Sequence, residues 1–233
     1  MKKHRFLFFI VVLSLLLMGN SQADKEGISL LKFSDHSILK TSMNLQNEEV
    51  LSHIIILPAT PFNQVEAAQI ISRIDKLPLS ILEKVNKEGI VIQLFTGKLT
   101  GNKTASQLAN VVPRGYVHKT TWDDVPGMGG GKTVLVKIGA SNKGKGHSSV
   151  NLELHELAHS IDKLVFNGIR SKHSFLGIWS REKETMFPGK NYFLTYPEEY
   201  FAECFAYYYI GGQYREELER KAPMTFQLIK NLS

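Results

Sequence analysis

The sequence predicts an α+β chain on three observations. Apolar runs of strand length alternate with helical periods in the first half, and the second half reads almost entirely as helix. A buried helix carrying two histidines joins the halves. The expected architecture is a small mixed or antiparallel sheet with helices in an N-terminal lobe, at about 24–149. A histidine-bearing helix at about 150–166 lies at the junction, followed by a mainly helical lobe at about 167–233.

The N-terminus stands apart from both lobes. Lys2, Lys3 and Arg5 precede residues 6–18, which are apolar except for Ser14. Those 13 residues are too few to cross a bilayer of ~30 Å as a helix. Ser21-Gln22-Ala23 then fits the small-x-small rule for signal peptidase. Residues 1–23 therefore read as a signal peptide. The mature chain, 24–233, is expected to be a single extracellular domain with no lasting membrane association. Removing the leader lowers the formal charge from +6 to +3. With no basic stripe interleaved with aromatics, that balance argues against a nucleic-acid partner. The lone Cys204, inside FAECFAYYY, cannot form an internal disulfide and reads as a small buried hydrophobe.

Residues 50–58, VLSHIIILP, read as a buried strand. Asn63 and Glu66 have capping-box spacing, so a helix starts there and runs to Leu77-Pro78. A second helix, LSILEKVNKEG, ends at Gly89, and residues 90–97 form the next strand. Residues 98–132, rich in Gly, Pro, Asn and Thr, form a long irregular stretch with one short helix near Ala105. TVLVKIGA, 133–140, alternates and reads as an edge strand. Helices then follow at 150–166, 175–183 and 197–210, with two short ones to the C-terminus.

NLELHELAHS, 151–160, contains His155-Glu156-Leu157-Ala158-His159, a match to H-E-x-x-H. Residues four apart on an α-helix share one face ~6 Å apart along the axis, so both imidazoles can reach one zinc ion. Glu156 projects beside them, where it can accept a proton from water. A chance match somewhere in a chain of this composition has a probability of only about 2%. Leu152, Leu154, Leu157, Ala158 and Ile161 make the helix apolar nearly all round, hence buried, and its polar residues need partners.

A catalytic zinc needs a third protein ligand. Asp162 and Val165 replace the Gly and His of the metzincin extension, and Asp162 is expected to orient a histidine or pair with a base. YPEEYFAECFAYYY supplies the better candidate. Pro197 opens a helix on which Glu199 and Glu203 share one apolar face, a costly place for carboxylates without partners. One would ligate the metal and the other would accept the free N–H of a ligating histidine. Spacing leaves open which does which.

HELAHSID, NYFLTYPEEYFAECFAYYY and KAPMTFQLIKNL resemble the catalytic domain of anthrax lethal factor, a zincin-type metalloprotease. They are more similar still to the small secreted Pro-Pro endopeptidases of Gram-positive bacteria, as are TWDDVPGMGGGKTVLVKIG and GKGHSS. The resemblance covers residues 110–233 well and 24–109 in length and pattern. It implies His155, His159 and Glu199 as ligands of one catalytic Zn2+, Glu156 as general base, and Glu203 as the acceptor behind a ligand. Tyr192, seven residues before Glu199, would stabilise the oxyanion. Tyr196 would hold that place if Glu203 were the ligand.

The substrate so implied is a bond between two prolines in proline-rich extracellular or cell-surface proteins, cleaved by a monomer. Other readings are a toxin protease like lethal factor and a non-catalytic zinc-containing module that binds proline-rich peptides. PGMGGGKT almost spells a phosphate-binding loop, but Pro126 stands at its first glycine and a strand follows. Gly129 and Gly130 instead suggest a rim where substrate backbone pairs with the strand at 133–138. Trp122 and Glu198 are further candidates for substrate contact, while Tyr116 reads as a loop anchor. His36, His53, His118, His147 and His173 read as structural or solvent-facing.

Overall fold

The computed structural model describes residues 26–114 and 120–232; the predicted signal peptide, Tyr116 and His118 fall outside the described residues. Five strands, β1 (Ile28–Ser29), β2 (Ile55–Leu57), β3 (Val91–Phe95), β4 (Gly127–Met128) and β5 (Thr133–Lys137), form one mixed sheet in the order β1-β2-β3-β5-β4. The central pairs β2–β3 and β3–β5 are parallel, with Ile92 opposite Ile55 on one side and Val134 on the other. Both outer pairs are antiparallel. Parallel strands need crossovers, which explains why β2 and β3 are joined by helices and are largely apolar, with Gln93 the one polar residue in the two. Every residue of β2 and β3 is buried.

The crossover helices follow their local chemistry. In α3 (Gln64–Ile74) the Asn63 side chain accepts the Glu66 N–H, and Ala67, Ile70, Ile71 and Ile74 form the buried stripe. Helix α4 (Leu79–Lys87) begins after Pro78 and stops short of Gly89, whose φ of +68° suits glycine. The second half is helical: α5 (Leu152–Ser160), α6 (His173–Met186), α7 (Asn191–Thr195), α8 (Pro197–Ile210), α9 (Gly212–Lys221) and α10 (Pro223–Lys230). Helix α5 packs against β4 and β5 on one side, α3 on another and α8 along its length. That enclosure is why its sequence is apolar nearly all round. Sheet and helices share one continuous core, from Leu30 to Ile229.

Three expectations need correction. Residues 50–54 are helical, belonging to α2 (Glu48–Ile54), which follows the four-residue α1 (Ile38–Thr41). Val50, Leu51 and Ile54 fall on one helical face, and Glu48 and Glu49 suit the positive end of the first turn. Strand β5 lies inside the sheet, because β4, hidden in the glycine-rich stretch, covers its outer edge. The histidine helix ends in a π-turn, Ile161–Val165, where the Phe166 N–H bonds the Ile161 carbonyl at 3.0 Å. Helix α7 lies in a stretch to which the sequence assigned no separate element.

Candidate metal centre and its cleft

Helix α5 is set by its cap: Asn151 Oδ1 accepts the Leu154 N–H at 3.0 Å. One turn on, His155 and His159 point the same way, their rings 4.9 Å apart and nearly perpendicular. Helix α8 starts at Pro197, as its sequence predicts, and delivers Glu199 and Glu203 to the same place. His155 Nε2 and His159 Nε2 are 3.3 Å apart, and Glu199 Oε2 lies 3.3 Å from the first and 3.4 Å from the second. Donors around a tetrahedral zinc at 2.0–2.1 Å are separated by roughly 3.3–3.4 Å. The three atoms therefore already form one face of such a tetrahedron, and the donor set fits a zinc ion.

Glu203 decides which face of His155 turns to that triangle. Its Oε1 accepts the Val150 N–H at 2.8 Å, and its Oε2 lies 3.0 Å from His155 Nδ1. A carboxylate can only accept, so Nδ1 carries a proton and Nε2 is the nitrogen left to offer its lone pair to a metal ion. Burial opposes charge on His155, but hydrogen bonds to Glu199 and Glu203 outweigh it and lift the pKa to about 10. Burial likewise opposes charge on Glu199, yet the two histidines hold its carboxyl far below the usual range. The cluster thus favours a positive charge at its centre.

The remaining predicted residues line one cleft of about 1020 Å³. Glu156 faces it, its carboxyl pushed up by burial against the opposing pull of the histidines and of the Gly129 N–H. Tyr192 lies beside Glu199, and its hydroxyl is pushed well above the ordinary range by burial first and that carboxylate second. Tyr196 turns elsewhere: its ring lies under the Arg114 guanidinium, 3.9 Å from the ring centre. Glu198 accepts from Arg114 Nη2 at 2.8 Å at the cleft wall. Trp122 lines the cleft and also packs on the small cluster of Phe95, Leu99, Ala105 and Leu135.

Gly129 and Gly130 sit on the rim, but for a reason beyond substrate approach. A Cβ on Gly129 would stand 1.9 Å from the Glu156 carbonyl oxygen, so the rim is pressed against the active-site helix itself. The strand bordering the cleft is β4, which corrects the expectation that 133–138 does so.

Asp162 pairs with Arg170, accepting its backbone N–H at 3.0 Å and lying 2.9 Å from its Nε. His147 lines the cleft, but its Nε2 is spent on the Ala140 carbonyl at 2.7 Å. His36, His53 and His173 are exposed. Sequence reasoning missed Arg114, which also approaches Glu199 Oε1 at 3.5 Å. An arginine between Pro113 and Gly115 in an irregular loop carries no periodic signal, so only the fold reveals it.

Comparison with known proteins gives four findings. Residues 42–232 match the family model described as anthrax toxin lethal factor, N- and C-terminal domain. A Pro-Pro endopeptidase of Clostridioides difficile (strain 630) is 41% identical over 189 residues, covering 81% of this chain and 85% of that protein. A Pro-Pro endopeptidase of Paenibacillus alvei is 38% identical over 188 residues, covering 80% and 86%. The solved structure of the Pro-Pro endopeptidase from Paenibacillus alvei superposes with a TM-score of 0.76, over 79% of this chain and all of that one.

Proposed function

This chain belongs to the anthrax toxin lethal factor family of metalloendopeptidases, and from that premise we propose that it is a secreted zinc enzyme cleaving between two prolines. The observation that carries the zinc reading is the donor triangle of His155, His159 and Glu199, with Glu156 and Tyr192 facing the same cleft. Support for the Pro-Pro bond comes from the two endopeptidase relatives. Support for export comes from the composition of residues 1–23.

Zinc held by His155, His159 and Glu199 would supply Lewis acidity for the scissile carbonyl and would lower the pKa of a water toward neutral. Glu156 takes the proton from the attacking water and returns it to the leaving nitrogen. That return matters for this bond: the nitrogen is a tertiary amide with no N–H and leaves as a secondary amine. The Tyr192 hydroxyl, kept protonated by burial and by Glu199, donates to the developing oxyanion. Glu203 holds the His155 ring in one tautomer. Neither proline of the substrate offers an N–H to the cleft, so carbonyls and ring faces must be recognised, a role suited to Trp122.

The test incubates residues 24–233 with peptides of the form x-x-Pro-Pro-x-Pro and reads the products by mass spectrometry. A Glu156→Ala variant and a chelator-treated sample run alongside. Cleavage between the prolines, lost in both controls, is the expected result. Cleavage elsewhere would discard the Pro-Pro assignment, and no cleavage by zinc-loaded protein would overturn the reading.

A further inference from the structure

Ser160 follows the second histidine, is fully buried, and the zinc chemistry makes no use of it. Its hydroxyl donates to the Gly131 carbonyl at 2.8 Å and accepts the Gly130 N–H at 3.0 Å. One side chain thus satisfies both a donor and an acceptor of the rim loop. The residue one helical turn before it, Glu156, meets the same loop: its backbone carbonyl lies against Gly129 and its Cγ against Gly127. Residues 156 and 160 lie four apart on one face of α5, so Gly130 and Gly131 are bonded to the same helix ridge on which Gly129 packs.

The close fit depends on glycine. A Cβ on Gly129 would collide with the Glu156 carbonyl, and one on Gly127 would come within 2.9 Å of Glu156 Cγ. Gly130 adopts a φ of +83°, a conformation that favours glycine. On its other side the loop runs into β4 and β5, which pair with each other through Gly127 and Met128. Strand pairing fixes residues 127–128, and Ser160 fixes 130–131. Gly129, whose backbone lies against that of Glu156, is held between these two anchors.

We propose that Ser160 is a positioning residue: by fixing the 130–131 turn it holds the 127–129 backbone against Glu156 and so sets the orientation of the base. The role rests on the reading of Glu156 as that base. Ser160 touches neither substrate nor metal; it acts through the loop. A misplaced catalytic group costs rate far more than binding, so its removal should act on kcat.

The test compares wild type, Ser160→Ala and Ser160→Thr, the last keeping the hydroxyl. Amide hydrogen exchange followed by mass spectrometry reads the 127–131 segment without any need for turnover. In Ser160→Ala, exchange there should quicken at least about tenfold while β5 and α5 keep their protection. With a Pro-Pro peptide, kcat should fall about ten- to a hundredfold, with KM, zinc content and melting temperature near wild type. Thr should restore both readouts. Unchanged exchange in 127–131 would overturn the anchor. Faster exchange with unchanged kcat, or a loss confined to KM, would overturn the positioning role. Failure of the functional reading shows separately, as wild type that cleaves no such peptide, and the exchange arm still decides whether Ser160 holds the loop.

Discussion

Glu203→Gln separates a ligand from the residue behind it. The wild-type carboxylate is 3% exposed and serves two buried donors, the Val150 N–H at 2.8 Å and the His155 Nδ1–H at 3.0 Å. Glutamine has the same shape but only one accepting atom. If its oxygen meets Val150, its NH2 meets the His155 N–H, and the ring is driven to the tautomer that takes the lone pair off Nε2. If its oxygen meets His155, the Val150 N–H is left facing an amide. A hydrogen bond to a charged group contributes about 1.5–3 kcal/mol. Partners standing behind a ligating histidine typically change metal affinity 10- to 100-fold, or about 1.4–2.8 kcal/mol, so the two estimates agree.

The assay is competition of apo-protein against a chromogenic zinc chelator, with the melting temperature of each apo-protein as a folding control. Zinc affinity should drop 10- to 100-fold in Glu203→Gln. Glu199→Gln, which loses a ligand outright, should drop further. An affinity within threefold of wild type for Glu203→Gln would refute the reasoning. A larger loss for Glu203→Gln than for Glu199→Gln would reverse the two roles.

Two further outcomes follow from the geometry. Tyr192→Phe should lower kcat roughly 10²–10³-fold in peptide assays with zinc content and KM near wild type, because an oxyanion donor is removed. Tyr196→Phe should do much less, and the opposite order would hand the role to Tyr196. Asp123 takes hydrogen bonds from the Thr100 hydroxyl, the Asn110 N–H and the Thr121 hydroxyl, and its pKa falls to about 2 from an ordinary 3.8. A pKa depressed by folding stabilises the chain above the ordinary value, and that stabilisation is lost as pH falls from about 4 to about 2. Urea midpoints across that window should decline more steeply for wild type than for Asp123→Asn; parallel curves would refute it.

Much of the candidate site was legible because it is written in helical period. His155 and His159, like Glu199 and Glu203, are four apart, and a spacing of four means one face whatever the rest of the chain does. The start of α8 at Pro197 and the Asn63 cap of α3 were equally local. Residues 50–58 misled because a short apolar run holding helix and strand in succession has no clear period of either kind. Strand β4 has two residues, too few for any alternation to register.

The sequence by itself determined that two histidines and a glutamate share one face of a buried helix, with two more carboxylates sharing another. It could not determine how those faces meet. The rotation of α8 against α5 brings Glu199 Oε2 to the histidine nitrogens and Glu203 to the back of His155. Tertiary structure alone carried Arg114 across the chain to Glu198 and set the glycine rim on Ser160. The reason is physical. Spacing within one helix is fixed by backbone hydrogen bonds along that helix, whereas distances between elements follow from how the whole core closes.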